Sequence, residues 1–142
     1  MEYLLDGNVY IVLELEDELE QTFYHALFHV IDPLILSNSI AYYKWNDLNP
    51  SGFQYDNDYI KNLERDGSKY LDGDKRWFID TYSMSFAVED RARIFEYAMQ
   101  PGNESYFTGD TMQKKLKMLC KGIREVFQLE AESYPWEQYL KK

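Results

Sequence analysis

Hydrophobic residues recur along this chain with two different periods. Asn8 to Leu15 (NVYIVLEL) is β-branched and apolar and predicts a short strand. Around its end, Glu14, Glu16, Asp17, Glu18 and Glu20 crowd the start of a helix, where the backbone dipole favours negative charge. Leu19, Phe23, Ala26, Leu27 and Val30 then recur at helical spacing. Asp32-Pro33 predicts an end or a kink, because the residue before proline avoids the helical region. A second short helical piece is expected from Leu34 to Trp45.

The periodicity lapses from Asn46 to Arg76, where Asn49-Pro50, Ser51-Gly52, Asp66-Gly67 and Asp72-Gly73 are turn signals. This reads as a long ordered loop with at most a short helix near Tyr59 to Arg65, its aromatics Phe53, Tyr55, Tyr59 and Tyr70 arguing for order. A helix follows from about Phe86 to Met99, capped by Ser83 or Ser85, with Val88, Ala92, Phe95 and Met99 on its buried stripe. Pro101-Gly102 breaks it. A long helix from Asp110 to Leu129 comes next, with Asp110 as cap and Met112, Leu116, Leu119, Ile123 and Phe127 as apolar face. A short helix is expected after Pro135. The fold class is therefore mainly α with a small β element (α+β), as a single domain over residues 1–142.

Composition narrows the function classes. The chain carries 25 Asp plus Glu against 15 Lys plus Arg, so a phosphate backbone would be repelled and nucleic acid is not an expected partner. It has neither a basic amphipathic stretch for an anionic membrane nor an apolar run of transmembrane length, so membrane insertion is not expected. Met1 to Asp6 lacks the basic and apolar regions of a signal peptide. Cys120, the single cysteine, excludes an internal disulfide. The 13 tyrosines and 3 tryptophans suit either a cleft or a core of large residues.

The candidate chemistry lies on the first helix. The only two histidines are His25 and His29. Residues four apart share a helix face, so both imidazoles can hold one metal ion. A hydrolytic zinc site needs a third protein ligand from another element and an open position. Glu89, near the start of the Phe86 to Met99 helix, is the leading candidate; Asp90 and Glu96 are rivals. A first-turn glutamate is also what a helix dipole favours without any metal.

These residues resemble a known family. Tyr24-His25-Ala26-Leu27-Phe28-His29-Val30-Ile31-Asp32 looks like the HExxHxxD helix of gluzincin-type zinc metallopeptidases, with Ala26 where the family has glutamate. Tyr82-Ser83-Met84-Ser85-Phe86-Ala87-Val88-Glu89-Asp90-Arg91-Ala92 resembles their second helix, where a tyrosine precedes the glutamate ligand by seven residues. The likeness is to the anthrax lethal-factor type of catalytic domain and related small secreted peptidases. It covers the first helix and the segment from Tyr82 to Met99.

The resemblance implies a zincin-like catalytic domain that hydrolyses peptide bonds in a peptide or protein substrate, with zinc as cofactor. His25, His29 and Glu89 would bind zinc. Tyr82 would donate a hydrogen bond to the oxyanion, a contribution whose loss typically costs about 10²–10³-fold. Asp32 would orient an imidazole through its other ring nitrogen. Independently of the resemblance, Tyr43 and Trp45, with Phe53 and Tyr55, are candidates to line a cleft, although such aromatics are more often core, and the strand at Asn8 to Leu15, just ahead of the metal helix, is a candidate edge on which an extended peptide docks. Relatives are often exported, which suggests a secreted or cell-surface parent. The departure at Ala26 removes the general base that takes a proton from the attacking water, a function worth about 10²–10⁴-fold. Alanine keeps the helix and the histidines. The pattern fits an inactivating substitution in an intact site; the alternative is a natural pseudopeptidase acting as a peptide- or protein-binding module.

Overall fold

A computed structural model describes residues 2–14 and 18–142. Leu15, Glu16 and Asp17, expected at the strand end and the helix start, lie outside the described residues. The chain is mainly helical with one two-stranded antiparallel sheet, in the order β1 (Glu2–Leu5), β2 (Asn8–Ile11), α1 (Leu19–Asn38), α2 (Tyr59–Asn62), α3 (Ala87–Ala98) and α4 (Asp110–Phe127). Short 3₁₀ segments fill the connections.

β2 is shorter than the expected strand and pairs with β1, in the register Glu2↔Ile11 to Leu5↔Asn8. The turn is Asp6-Gly7, with φ of 51° and 77°. Two consecutive positive φ angles make the mirror-image turn that matches strand twist, and Asp-Gly is a preferred pair for it. That dipeptide is the sequence signal for β1. The hairpin packs on α1.

α1 does not stop at Pro33 but runs through it to Asn38. An interior proline removes one backbone bond and costs about 3 kcal/mol. Contacts on both sides of Pro33 offset it: Asp32 is buried in an ion pair and Ile35 is fully buried in the core. The expected second helix is thereby divided, Leu34 to Asn38 ending α1 and Ala41–Leu48 forming a 3₁₀ segment.

The core lies where α1, α3 and α4 meet. Phe28 of α1 stacks on Phe95 of α3 at 5.0 Å, and Leu116, Leu119 and Ile123 of α4 close the third side. Phe127, expected on that face, is exposed. α4 begins behind Gly109 without a side-chain cap, rather than being capped by Asp110. A Cβ at Gly109 would meet the Asp74 carbonyl oxygen at 2.3 Å, so close approach of the two backbones decides that position. α3 likewise lacks the expected serine cap: Phe86 holds the position, Ser83 bonds Asp80 and Ser85 bonds the Tyr82 carbonyl. Nor is the α3 stripe the expected one. Val88 is exposed, while Glu89, Asp90, Arg91 and Glu96 are buried beside Ala92, Ile94, Phe95 and Ala98.

The long loop is ordered by a cluster of Phe53, Tyr55, Tyr70 and Phe78, with the Arg65 guanidinium 4.6 Å from the Phe53 ring centre. Its deepest tie is polar. Tyr55 Oη donates to Asp90 Oδ2 at 2.8 Å, and the same oxygen accepts from Lys115 Nζ at 2.8 Å and Trp45 Nε1 at 3.1 Å. Lys115 and Asp90 are both fully buried. Removing one partner leaves the other charge uncompensated, so Lys115→Met should lower unfolding stability by about 3–5 kcal/mol in a urea titration. A loss below about 1 kcal/mol, the size of a surface pair, would mean the ion pair does not hold α3 to α4.

Candidate metal centre

His25 and His29 occupy one face of α1, one turn apart, and both remain partly accessible. The first turn of α3, packed against that face, brings in Glu89. His25 Nε2 lies 2.8 Å from Glu89 Oε2, His29 Nε2 lies 3.2 Å from the same oxygen, and the two Nε2 atoms are 3.1 Å apart. Three donor atoms from two helices therefore form one small triangle. Ligands bonded to a tetrahedral zinc at about 2.0–2.1 Å stand about 3.3 Å from one another, so the triangle fits that ion with minor spreading. Two nitrogens and one carboxylate oxygen are also the ligand types of catalytic zinc.

The electrostatics set Glu89 apart. Four carboxylates are buried among the described residues: Asp32, Glu89, Asp90 and Glu96. Asp32 pairs with Arg91, Asp90 with Lys115 and Glu96 with Arg93. Glu89 faces the two imidazoles and the phenols of Tyr59 and Tyr82. Burial pushes its carboxyl up, but bonds from His25, His29 and Tyr59 outweigh this and hold it well below the usual carboxylate range. For His25, burial pulls the imidazole down, while Glu89 and Glu96 together carry it above its ordinary value.

Glu96 is the carboxylate behind the first imidazole. Its Oε1 lies 3.0 Å from His25 Nδ1, an electrostatic contact whose angle falls short of a hydrogen bond. A carboxylate in that place favours the Nδ1–H form and turns the Nε2 lone pair toward Glu89 and His29. Glu96 is itself fixed, Oε2 accepting from Gln21 Nε2 at 2.7 Å and Oε1 from Arg93 Nη1 at 3.0 Å. Arg93 also bonds Asp80 and lies 4.5 Å from the Tyr82 ring centre.

Tyr82 sits beside the centre, its ring 6.0 Å from that of His25. Burial and the neighbouring Glu89 raise its phenol above the ordinary value. A second tyrosine, Tyr59, donates to Glu89 Oε1 at 2.7 Å, and burial and that bond push it up to about 12. Both phenols thus keep their protons at neutral pH.

Ala26 is buried on α1 between the two histidines in sequence. Three other assignments are corrected. Asp32 does not orient an imidazole: its oxygens accept from Arg91 Nε at 2.8 Å and Nη2 at 2.9 Å, and from Tyr42 Oη at 2.5 Å. Trp45 is 1% exposed with its indole N–H on Asp90, so it belongs to the core and cannot touch a substrate. Asp90, weighed as a rival ligand, is committed to Lys115. Tyr43 is 70% exposed on the 3₁₀ segment that packs against α4. Glu96, the other rival, stands at the imidazole's far nitrogen. Seven residues from Glu89, it lies two turns along the same helix face, which is the signal that could have placed it there. Tyr59 had no such signal, because it reaches the site from the aperiodic loop.

No protein-family model, curated protein or solved structure matches the chain significantly.

With two histidines, the imidazole proton resonances are readily followed by NMR. Glu96→Gln should lower the titration midpoint of His25, since Glu96 favours its charged form. Asp32→Asn should leave His25 unmoved while lowering stability by about 3–5 kcal/mol. A histidine that shifts with Asp32→Asn but not with Glu96→Gln would reverse these roles.

Proposed function

We propose that this chain is a zinc metallopeptidase domain in which Ala26 stands in place of the general base, so that it binds metal and peptide without efficient hydrolysis. The observation that carries the reading is the buried Glu89 carboxylate, which among the described residues meets two imidazole nitrogens and pairs with no Arg or Lys. A buried carboxylate needs a compensating charge, and a divalent cation held with His25 and His29 is the one this donor set suits.

Zinc held there would supply Lewis acidity toward a peptide carbonyl and lower the pKa of a nearby water. The chain's own residues do the rest. His25, oriented by Glu96, and His29 present Nε2 lone pairs from one rigid helix. Tyr82 keeps its proton beside the centre, as a donor to negative charge developing on a substrate oxygen must. Gln21 and Arg93 hold Glu96, and through it the first imidazole, while Asp80 anchors Arg93.

A second reading, a pseudopeptidase that acts as a binding module, is favoured by the lack of a substitute base. Glu96 faces Nδ1 of His25, the nitrogen turned away from Glu89, and its oxygens are already engaged. Tyr59 and Tyr82 hold their protons and cannot accept another. Among the described residues, nothing near the triangle takes over what a glutamate at position 26 would do.

Elemental analysis after zinc loading and desalting should find a single zinc per chain, absent in His25→Ala. Zinc should also raise the melting temperature, since it binds only the folded arrangement. Ala26→Glu should then increase cleavage of a peptide library by about 10²–10⁴-fold. No zinc in the unaltered chain would end the metallopeptidase reading. Zinc without cleavage in Ala26→Glu would leave the binding module.

A further inference from the structure

The two oxygens of Glu89 are used differently. Oε2 faces both imidazole nitrogens, at 2.8 and 3.2 Å. Oε1 is turned away and accepts from Tyr59 Oη at 2.7 Å. A carboxylate ligand without such a partner can rotate and bind a metal through both oxygens, which adds a ligand and fills the position a water or substrate would use.

Tyr59 is unusually well fixed for a side chain 47% exposed. Its ring stacks on Tyr82 at 5.8 Å and 23° and packs on Phe86 at 4.6 Å. Its helix is a single turn, α2, tied at both ends. Asp58 Oδ1 accepts from the Ile60 and Lys61 amides at 2.8 and 3.1 Å. The buried Asn62 donates to Asp56 Oδ2 at 2.7 Å and to the Thr81 carbonyl at 2.8 Å. An isolated four-residue helix is unstable, so these ties exist only in the folded loop. They deliver one hydroxyl to one carboxylate oxygen.

The geometry points to Tyr59 as a positioning residue that keeps Glu89 a one-oxygen ligand and so keeps the fourth position of the metal open. This rests on the metal reading above. The long loop thereby carries the group that sets the coordination number of a centre whose ligands all lie on α1 and α3. Tyr59 would not be a ligand, and its loss would leave all three donor atoms in place.

The test uses cobalt(II) as a visible probe, because four-coordinate cobalt absorbs more strongly than five- or six-coordinate cobalt. The unaltered chain loaded with cobalt should show intense visible bands. Tyr59→Phe keeps both ring contacts and removes only the hydroxyl. Its cobalt bands should weaken and shift, and its zinc affinity in a chelator competition should change by about 10–100-fold, the usual effect of losing an outer-shell partner. Asn62→Ser, which keeps the Tyr59 hydroxyl but loosens α2, should produce the same spectral change to a smaller degree. Spectra and affinities identical to the unaltered chain in both variants would overturn the role of Tyr59. An unaltered chain that takes up neither cobalt nor zinc would instead overturn the metal reading beneath it.

Discussion

Charge burial at the junction of α1, α3 and α4 is the constraint from which the rest of this structure follows. Ionised groups leave water only when compensated. Arg91 grips Asp32 through two hydrogen bonds and joins α3 to the far end of α1. Lys115 grips Asp90 and joins α4 to α3. Asp90 also collects Tyr55 and Trp45, bringing the long loop and the 3₁₀ segment under the same constraint. Arg93 compensates Glu96 and reaches out to Asp80. Glu89 is the buried carboxylate whose partners are imidazoles and the phenols of Tyr59 and Tyr82, and it lies at the accessible edge of this junction.

The polar side of α3 also explains where sequence reading succeeds and where it fails. His25, His29 and Glu89 can be picked out because spacing on a helix is a local property and histidine is scarce here. The pairing of Asp32 is not legible, because a buried Asp-Arg contact across 59 residues leaves no periodic trace. The apolar stripe of α3 is misplaced for the same reason: Asp90, Arg91 and Glu96 lie off any apolar pattern and are buried because they are paired. Pro33 looks like a stop because proline disfavours helix locally, yet contacts at Asp32 and Ile35 carry α1 past it. Trp45, an attractive cleft residue by composition, is consumed by the core. The β1–β2 hairpin is only half visible, since Asp6-Gly7 is a turn signal but its flanks are short.

The candidate site is built on well-fixed elements. The imidazoles, the carboxylate, the group behind the first imidazole and two protonated tyrosines are held by rigid helices or by a well-tied loop. Position 26 contributes only a methyl group. Alanine sustains the helix as well as any residue, so its presence at position 26 has no cost in fold.

The most direct measurement is the anomalous difference map of a zinc-loaded crystal, collected above and below the zinc absorption edge. The account predicts one strong peak within coordination distance of His25 Nε2, His29 Nε2 and Glu89 Oε2, with Oε1 of Glu89 still on Tyr59. Zinc bound elsewhere, or no peak with the triangle intact, would contradict it.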